Sequence, residues 1–221
     1  MVHVTIDRRG TRVFWVFIHG YRKTSESWNV TEAGKEVNLA KMKGDACIVD
    51  MSDEDYMQPV DDVAREIYDI LVKQWISKQA VYIVSHSIGA FYATCLANLI
   101  EADKLFSLYG MMYIDPTCKT EEYRQYLQLA NAEGDPVAGA KLENYARLPD
   151  PPSFHPRVLV NVHFACDDAK IVARLFYFRR AIYANVASEI IVYPGASHML
   201  HWDHPEKFVN GFQRMLKLTN H

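Results

Sequence analysis

The segment Ser85-His86-Ser87-Ile88-Gly89 lies between an apolar run, Ala80-Val81-Tyr82-Ile83-Val84, and a small-residue-rich stretch, Gly89-Ala90-Phe91-Tyr92-Ala93. The order reads as strand, tight turn with a serine, then helix. Such a turn pushes a serine hydroxyl out beyond the end of a sheet, where a base and a substrate can reach it; its usual form is G-x-S-x-G. Here the form is S-x-S-x-G, with Ser85 as the small residue at the position where strand and helix backbones come close. Ser87 is the candidate nucleophile. A serine hydroxyl is a weak nucleophile, so the chemistry also needs a base, an acid that orients the base, and N–H donors for the charge that develops on a carbonyl oxygen.

Candidates for each part occur along the chain. His198 lies in Gly195-Ala196-Ser197-His198, after the last apolar run and before the last helical pattern. A histidine on a loop beyond a sheet edge can swing its ring over the serine. His201 and His204 are its competitors, expected to pack or to cap a helix. The N–H of Ile88, directly after the serine, is one candidate oxyanion donor. The run Val13-Phe14-Trp15-Val16-Phe17-Ile18 leads into His19-Gly20-Tyr21, which makes the N–H of Tyr21 the candidate second donor. Three aspartates compete for the acid: Asp168, Asp167 and Asp115. Asp167 and Asp168 cannot both aim at one imidazole, because neighbouring side chains diverge.

The elements that must position these residues follow from periodicity. Continuous apolar runs at 13–18, 46–49, 80–84, 111–114, 158–162 and 190–193 suit strands covered on both faces. Val2 to Ile6 is expected as an extra strand, hairpinned to the first run through Arg8-Arg9-Gly10. Val63, Ile67, Ile70, Leu71 and Trp75 recur at helical spacing behind Asp61 and Asp62, acids that favour a helix start. Phe208, Phe212, Met215 and Leu216 form another helical face, opened by Asp203-His204-Pro205-Glu206 as a capping box with an early proline. The alternation predicts a doubly wound α/β fold with a mostly parallel sheet of about six to seven strands, in one domain spanning 1–221. Residues 117–156 are too long for a simple crossover and carry both helix starts and a stiff Leu148-Pro149-Asp150-Pro151-Pro152 loop, so they are a candidate lid over the sheet's carboxyl edge.

Composition narrows the function classes. The chain has 221 residues, 49% hydrophobic and 23% charged, ordinary values for a globular domain. A net charge of -3 argues against a nucleic-acid footprint, which would be basic. No apolar run approaches the roughly 18 residues of a membrane span. The first residues, Met1-Val2-His3-Val4-Thr5-Ile6-Asp7, lack the basic and apolar blocks of a signal peptide, which points to the cytoplasm. Cys47, Cys95, Cys118 and Cys166 are scattered without a C-x-x-C pair, so free thiols are expected, with neither a metal nor another cofactor.

On these residues the chain resembles the α/β-hydrolase fold family, in its serine-nucleophile branch. Phe17-Ile18-His19-Gly20 with Trp28 is similar to the family's first strand and oxyanion loop, and Val84 to Ala90 to its nucleophile elbow. Ile114-Asp115-Pro116 resembles the end of its sixth strand. Phe164-Ala165-Cys166-Asp167-Asp168 resembles the acid loop after its seventh. Gly195 to His198, followed by Asp203 to Phe208, resembles its histidine loop and last helix. The resemblance implies Asp168 as the acid, since it precedes His198 by about thirty residues and its register fits the family's acid loop. Asp167 and Asp115 are the alternatives, some members taking the acid from the sixth strand. Two departures stand out: Ser85 replaces the usual glycine, and Met51-Ser52-Asp53-Glu54-Asp55 replaces a glycine-rich loop, which makes that side of the pocket acidic.

The resemblance implies a serine hydrolase cleaving a carboxylic ester or thioester of a small molecule through an acyl-enzyme. The same triad serves C–C bond hydrolysis, and some branches keep the fold as ligand receptors or scaffolds; both are alternatives. Tyr21, Trp28, Tyr123, Tyr126, Tyr145 and Trp202 are the aromatic residues expected near the pocket and lid.

Overall fold

A computed structural model describes residues 2–32, 34–41, 44–74, 79–166, 171–185 and 187–219. The strands are β1 (His3–Asp7), β2 (Val13–Ile18), β3 (Asn29–Glu32), β4 (Lys35–Asn38), β5 (Asp45–Asp50), β6 (Ala80–His86), β7 (Ser107–Ile114), β8 (Leu159–Cys166) and β9 (Glu189–Pro194). The helices are α1 (Asp53–Met57), α2 (Val60–Lys73), α3 (Gly89–Asp103), α4 (Glu121–Ala132), α5 (Pro136–Glu143), α6 (Ile171–Tyr183), α7 (Leu200–Asp203) and α8 (Pro205–Leu218).

Seven strands form one sheet in the order β1-β5-β2-β6-β7-β8-β9, parallel except for β1. All six residues of β2 are buried. Phe14, Val16 and Ile18 join one apolar core with Val63 and Ile67 of α2, Phe91 of α3 and Phe178 of α6. Val13, Trp15 and Phe17 join a second core with Phe208, Phe212 and Met215 of α8. Side chains alternate across a strand, so a run buried at every position must be covered on both faces. This is the expected doubly wound α/β architecture.

Two local expectations are corrected. β1 does not hairpin onto β2; it pairs antiparallel with β5, which lies between them, and β5 pairs parallel with β2. The Asp45 carboxylate explains the wider path. It accepts from Arg9 N at 2.9 Å and Thr11 N at 3.1 Å, tying the connection to the start of β5 instead of closing a two-residue turn. The capping box before α8 is also absent: the helix begins at Pro205 behind His204 with no side-chain cap, and Asp203 instead accepts from Ser197 N at 2.6 Å. Pro205 is the early proline. The β3–β4 hairpin was not expected from the sequence. Trp75, assigned to the α2 stripe, lies outside the described residues.

Strand order fixes where loops converge. The chain leaves β2 toward β5 on one side, then returns to lay β6 on the other. The loops after β2 and β6 therefore diverge from adjacent strands, and such a switch point leaves a crevice at the carboxyl edge. Ile18 lies beside Ser85 across this pair, so His19-Gly20-Tyr21 and Ser87 emerge side by side.

Candidate active site

Ser87 follows β6 directly and has φ of 55°, in the left-handed region. For a non-glycine residue this conformation costs about 1–3 kcal/mol and must be held by its surroundings. Its N–H donates to Ile114 O at 3.0 Å, and its carbonyl accepts from Ala90 N at 3.1 Å and Thr117 N at 3.0 Å. Those bonds stitch the turn to the end of β7 and the start of α3. Two glycines make room. A Cβ on Gly89 would lie 2.7 Å from the carbonyl oxygens of both Ile18 and His19. A Cβ on Gly20 would lie 2.9 Å from Ser87 Cβ. Ser85 is fully buried between β2 and β7, which explains the preference for a small residue there.

His198 reaches the same crevice from the loop after β9. Its Nδ1 lies 2.5 Å from Asp115 Oδ2. Its own carbonyl accepts from His86 Nε2 at 2.9 Å, and the two rings lie 4.6 Å apart. The bond to a carbonyl requires His86 to carry its proton on Nε2, and its Nδ1 is buried without a partner. Burial, then the neighbouring His201 and His198, push the His86 pKa down to about 3, so it is a neutral brace. His201 packs instead of reacting. It is fully buried with Nε2 on Ser27 O at 2.9 Å, and burial pushes its pKa down to about 4. His204 stacks on Tyr193.

Asp115 directly follows β7, with φ of 38° and a nearly buried side chain. Oδ1 accepts from Arg174 Nη2 at 2.7 Å and from Ala165 N at 3.2 Å. Arg174 Nη2 also donates to Pro116 O at 2.9 Å, and its guanidinium lies over the Phe164 ring. Burial raises the Asp115 pKa, but the hydrogen bond from His198 and the charge of Arg174 outweigh it and hold the carboxyl below its ordinary range. Asp168 and Asp167 lie outside the described residues. An imidazole Nδ1 has room for one hydrogen-bond partner. Among the described residues that partner is Asp115, the alternative at the sixth-strand position.

A cavity of about 240 Å³ contains Ser87, Ile88, Gly20, Tyr21, His86 and His198 in its wall. The two expected oxyanion residues, Tyr21 and Ile88, thus border the serine. The His19 side chain braces the Tyr21 loop, with Nδ1 2.8 Å from Gly20 O and Nε2 3.4 Å from Asp50 Oδ1. The opposite wall comes from the 117–156 excursion: Tyr123, Tyr126 and Leu127 of α4, and Val137, Ala138 and Lys141 of α5. Of the aromatic residues named from the sequence, Tyr21, Tyr123 and Tyr126 line the cavity. Trp28 is core, packed edge-on to Phe17, and Tyr145 donates to Thr120 O within the excursion. Trp202 is 47% exposed and donates to Ser27 O. Sequence reasoning missed Arg174, the bracing role of His86, and Lys141. Arg174 carries no motif; only its nearness to the acid in space reveals it.

Among the described residues no His, Cys, Asp or Glu cluster could hold a metal ion, and no helix is long and apolar enough to cross a membrane.

No protein-family profile and no curated protein matches the sequence. Solved structures do match. A thermophilic esterase from Thermogutta terrifontis superposes with a TM-score of 0.67 at 13% identity, over 99% of this chain and 93% of that one. MenH from S. aureus gives 0.64 at 13% identity, with both chains covered completely. An epoxide hydrolase from Bacillus megaterium gives 0.62 at 11%, over 98% and 96%. End-to-end correspondence of this kind shows that the chain has the α/β-hydrolase fold.

Proposed function

We propose that this protein is a serine hydrolase that cleaves a carboxylic ester or thioester of a small molecule. One observation carries the reading: Ser87, held at φ of 55° in a strand-to-helix turn, shares a cavity with His198, whose Nδ1 is engaged by a buried carboxylate. A proton on Nδ1, facing Asp115, leaves the lone pair of Nε2 to accept the Ser87 proton. The serine oxygen attacks the substrate carbonyl carbon. The N–H groups of Ile88 and Tyr21 take the oxyanion. His198 then gives its proton to the departing alcohol or thiol, and water releases the acid by the same steps in reverse. Asp115 takes the orienting role that the sequence resemblance gave to Asp168. It stabilises the imidazolium without accepting its proton. The helices α4 and α5 cover the cavity and limit the acyl group to a small one, since 240 Å³ lies below the usual range for drug-sized ligands.

The esterase among the structural neighbours supports this chemistry. So does the residue type at the nucleophile: a serine fits acyl transfer. Labelling with a fluorophosphonate tests the reading, together with turnover of 4-nitrophenyl esters of graded chain length. Ser87 should carry the label, and Ser87→Ala should abolish both signals. A folded Ser87→Ala protein that still turns over esters would refute the assignment.

A further inference from the structure

Lys141 is 1% exposed, yet it lines the cavity that holds Ser87. Its Nζ donates to Gln58 O at 3.0 Å and lies 5.2 Å from the centre of the Tyr92 ring. Neither partner carries a negative charge. An ammonium has three N–H donors, and a buried one is costly unless paired with an anion. Asp135 borders the same cavity, but its Oδ1 accepts from Val137 N at 2.9 Å and Ala138 N at 3.2 Å, capping α5. A second observation concerns hydroxyls. Tyr21 also lines the cavity, and its hydroxyl is buried without a hydrogen-bond partner. The Tyr92 hydroxyl, under the lysine, is likewise buried and unpartnered. The Tyr56 ring contacts both, its centre 5.2 Å from that of Tyr21 and 5.8 Å from that of Tyr92. Its hydroxyl is already used on His19 O.

Among the described residues the wall therefore offers an ammonium that makes no ion pair and a hydroxyl that reaches no acceptor, while the Asp135 carboxylate in the same wall keeps its charge and is held by the start of α5. A carboxylate is acceptor-only when ionised and has about four lone-pair sites, enough to serve both. We propose that Lys141 and the Tyr21 hydroxyl form an anion subsite in this cavity, and that the substrate carries a carboxylate in addition to its scissile ester or thioester. The proposal rests on the hydrolase reading for the scissile bond, but the subsite itself does not depend on it. Lys23, also in the lining, adds positive charge on the same side of the balance. Burial pushes the Lys141 amine down to about 8, so it is still mostly charged at neutral pH and would be held charged by a bound carboxylate.

The test separates subsite from chemistry. Titration calorimetry with succinate and glutarate measures binding without turnover, on the wild type, Lys141→Met and Tyr21→Phe. Folding of each variant is checked by its thermal melt. Hydrogen bonds to a charged group of this kind correspond to roughly a ten- to hundredfold change in affinity. Lys141→Met should weaken dicarboxylate binding by about that factor. Tyr21→Phe, which keeps the backbone N–H, should weaken it several-fold. The kinetic arm compares mono-4-nitrophenyl glutarate with 4-nitrophenyl pentanoate. The wild-type ratio of kcat/KM should favour the charged ester, and Lys141→Met should erase that preference mainly through KM. Equal dicarboxylate affinity in wild type and Lys141→Met, or a substrate ratio that the substitution leaves unchanged, overturns the subsite. Dicarboxylate binding that depends on Lys141, in a protein that neither takes the fluorophosphonate nor cleaves any ester, would overturn the hydrolase reading while keeping the subsite.

Discussion

Asp115 Oδ2 lies 2.5 Å from His198 Nδ1, although 83 positions separate the two residues along the chain. The contact joins the end of β7 to the loop after β9, across the top of β8. Under the proposed mechanism it gives Asp115 the role of orienting the base. Asp115→Asn should lower kcat by about 10³- to 10⁴-fold with little change in KM, because the amide would favour the wrong imidazole tautomer. Asp168→Asn and Asp167→Asn should stay within a few-fold of wild type. A large loss at Asp168 alone would return the acid to the loop after β8. Steady-state kinetics on a 4-nitrophenyl ester distinguishes the outcomes.

Arg174 sets how far the Asp115 carboxyl stays ionised. Its guanidinium is 2.7 Å from Oδ1, on the side away from His198. The folded-state pKa of Asp115 is depressed, so its stabilising contribution is present above the unfolded value near 3.9 and is lost as pH falls through the lower folded value. Removing the guanidinium raises that folded value. Arg174→Gln should therefore be less stable than wild type above about pH 4, with the gap in thermal melts closing as pH falls below it. Identical acid profiles would show that the pair does not contribute.

Much of this was legible in the sequence because local rules agree there. The buried run at β2 and the first five residues of β6 have no polar face, and a strand without one must be covered twice. The elbow was legible because only a narrow choice of residues fits it: small at 85, glycine at 89, with carbonyls 2.7 Å from where a Cβ would stand. The acid was not. Asp115 and Asp168 both follow apolar runs, and sequence spacing cannot say which loop folds toward the imidazole. The path of β1 was missed for a similar reason. A turn at Arg8-Arg9-Gly10 suits a hairpin locally, but the Asp45 carboxylate draws that segment to β5 from 34 positions away. Lys141 was invisible because a lysine in an amphipathic stretch is ordinarily solvated; only the fold shows that it faces inward.

Gly20→Ala should lower ester turnover about 100-fold. The added Cβ would stand 2.9 Å from Ser87 Cβ and 3.0 Å from His86 Nδ1, so Ser87 or His86 must shift. A displacement of about 1 Å at a reacting group costs on the order of 100-fold in rate. Gly20 is buried, so the melting temperature should fall as well, and turnover is compared at a temperature where the variant's melt shows it folded. Wild-type turnover by Gly20→Ala would mean that the oxyanion loop can retreat, and the tight contact would lose its significance.

Lys141→Met should stabilise the fold, and the gain should depend on pH in one direction. Burial depresses the amine from 10.5 to about 8. Below pH 8 the ammonium is charged in both folded and unfolded chains, and burying it costs on the order of 3 kcal/mol. Between pH 8 and 10.5 the folded form sheds its proton first. The unfolded chain then binds more protons, so wild-type stability contributed by this group rises with pH. Tyr92, whose ring centre lies 5.2 Å from the amine, is pushed up by burial and does not titrate in that window in the folded protein. Methionine has similar length and no charge, and it removes the penalty at every pH. Thermal melts should show Lys141→Met above wild type at pH 7, with the difference shrinking as pH rises past 8 and largely gone near 10.5. Retaining so costly a group in the cavity wall makes sense if a bound anion offsets the cost, and saturating glutarate should accordingly raise the wild-type melting temperature and leave that of Lys141→Met nearly unchanged. A variant less stable than wild type at pH 7 would show that the Gln58 and Tyr92 contacts already compensate the charge, and the case for an unfilled anion subsite would fall with it.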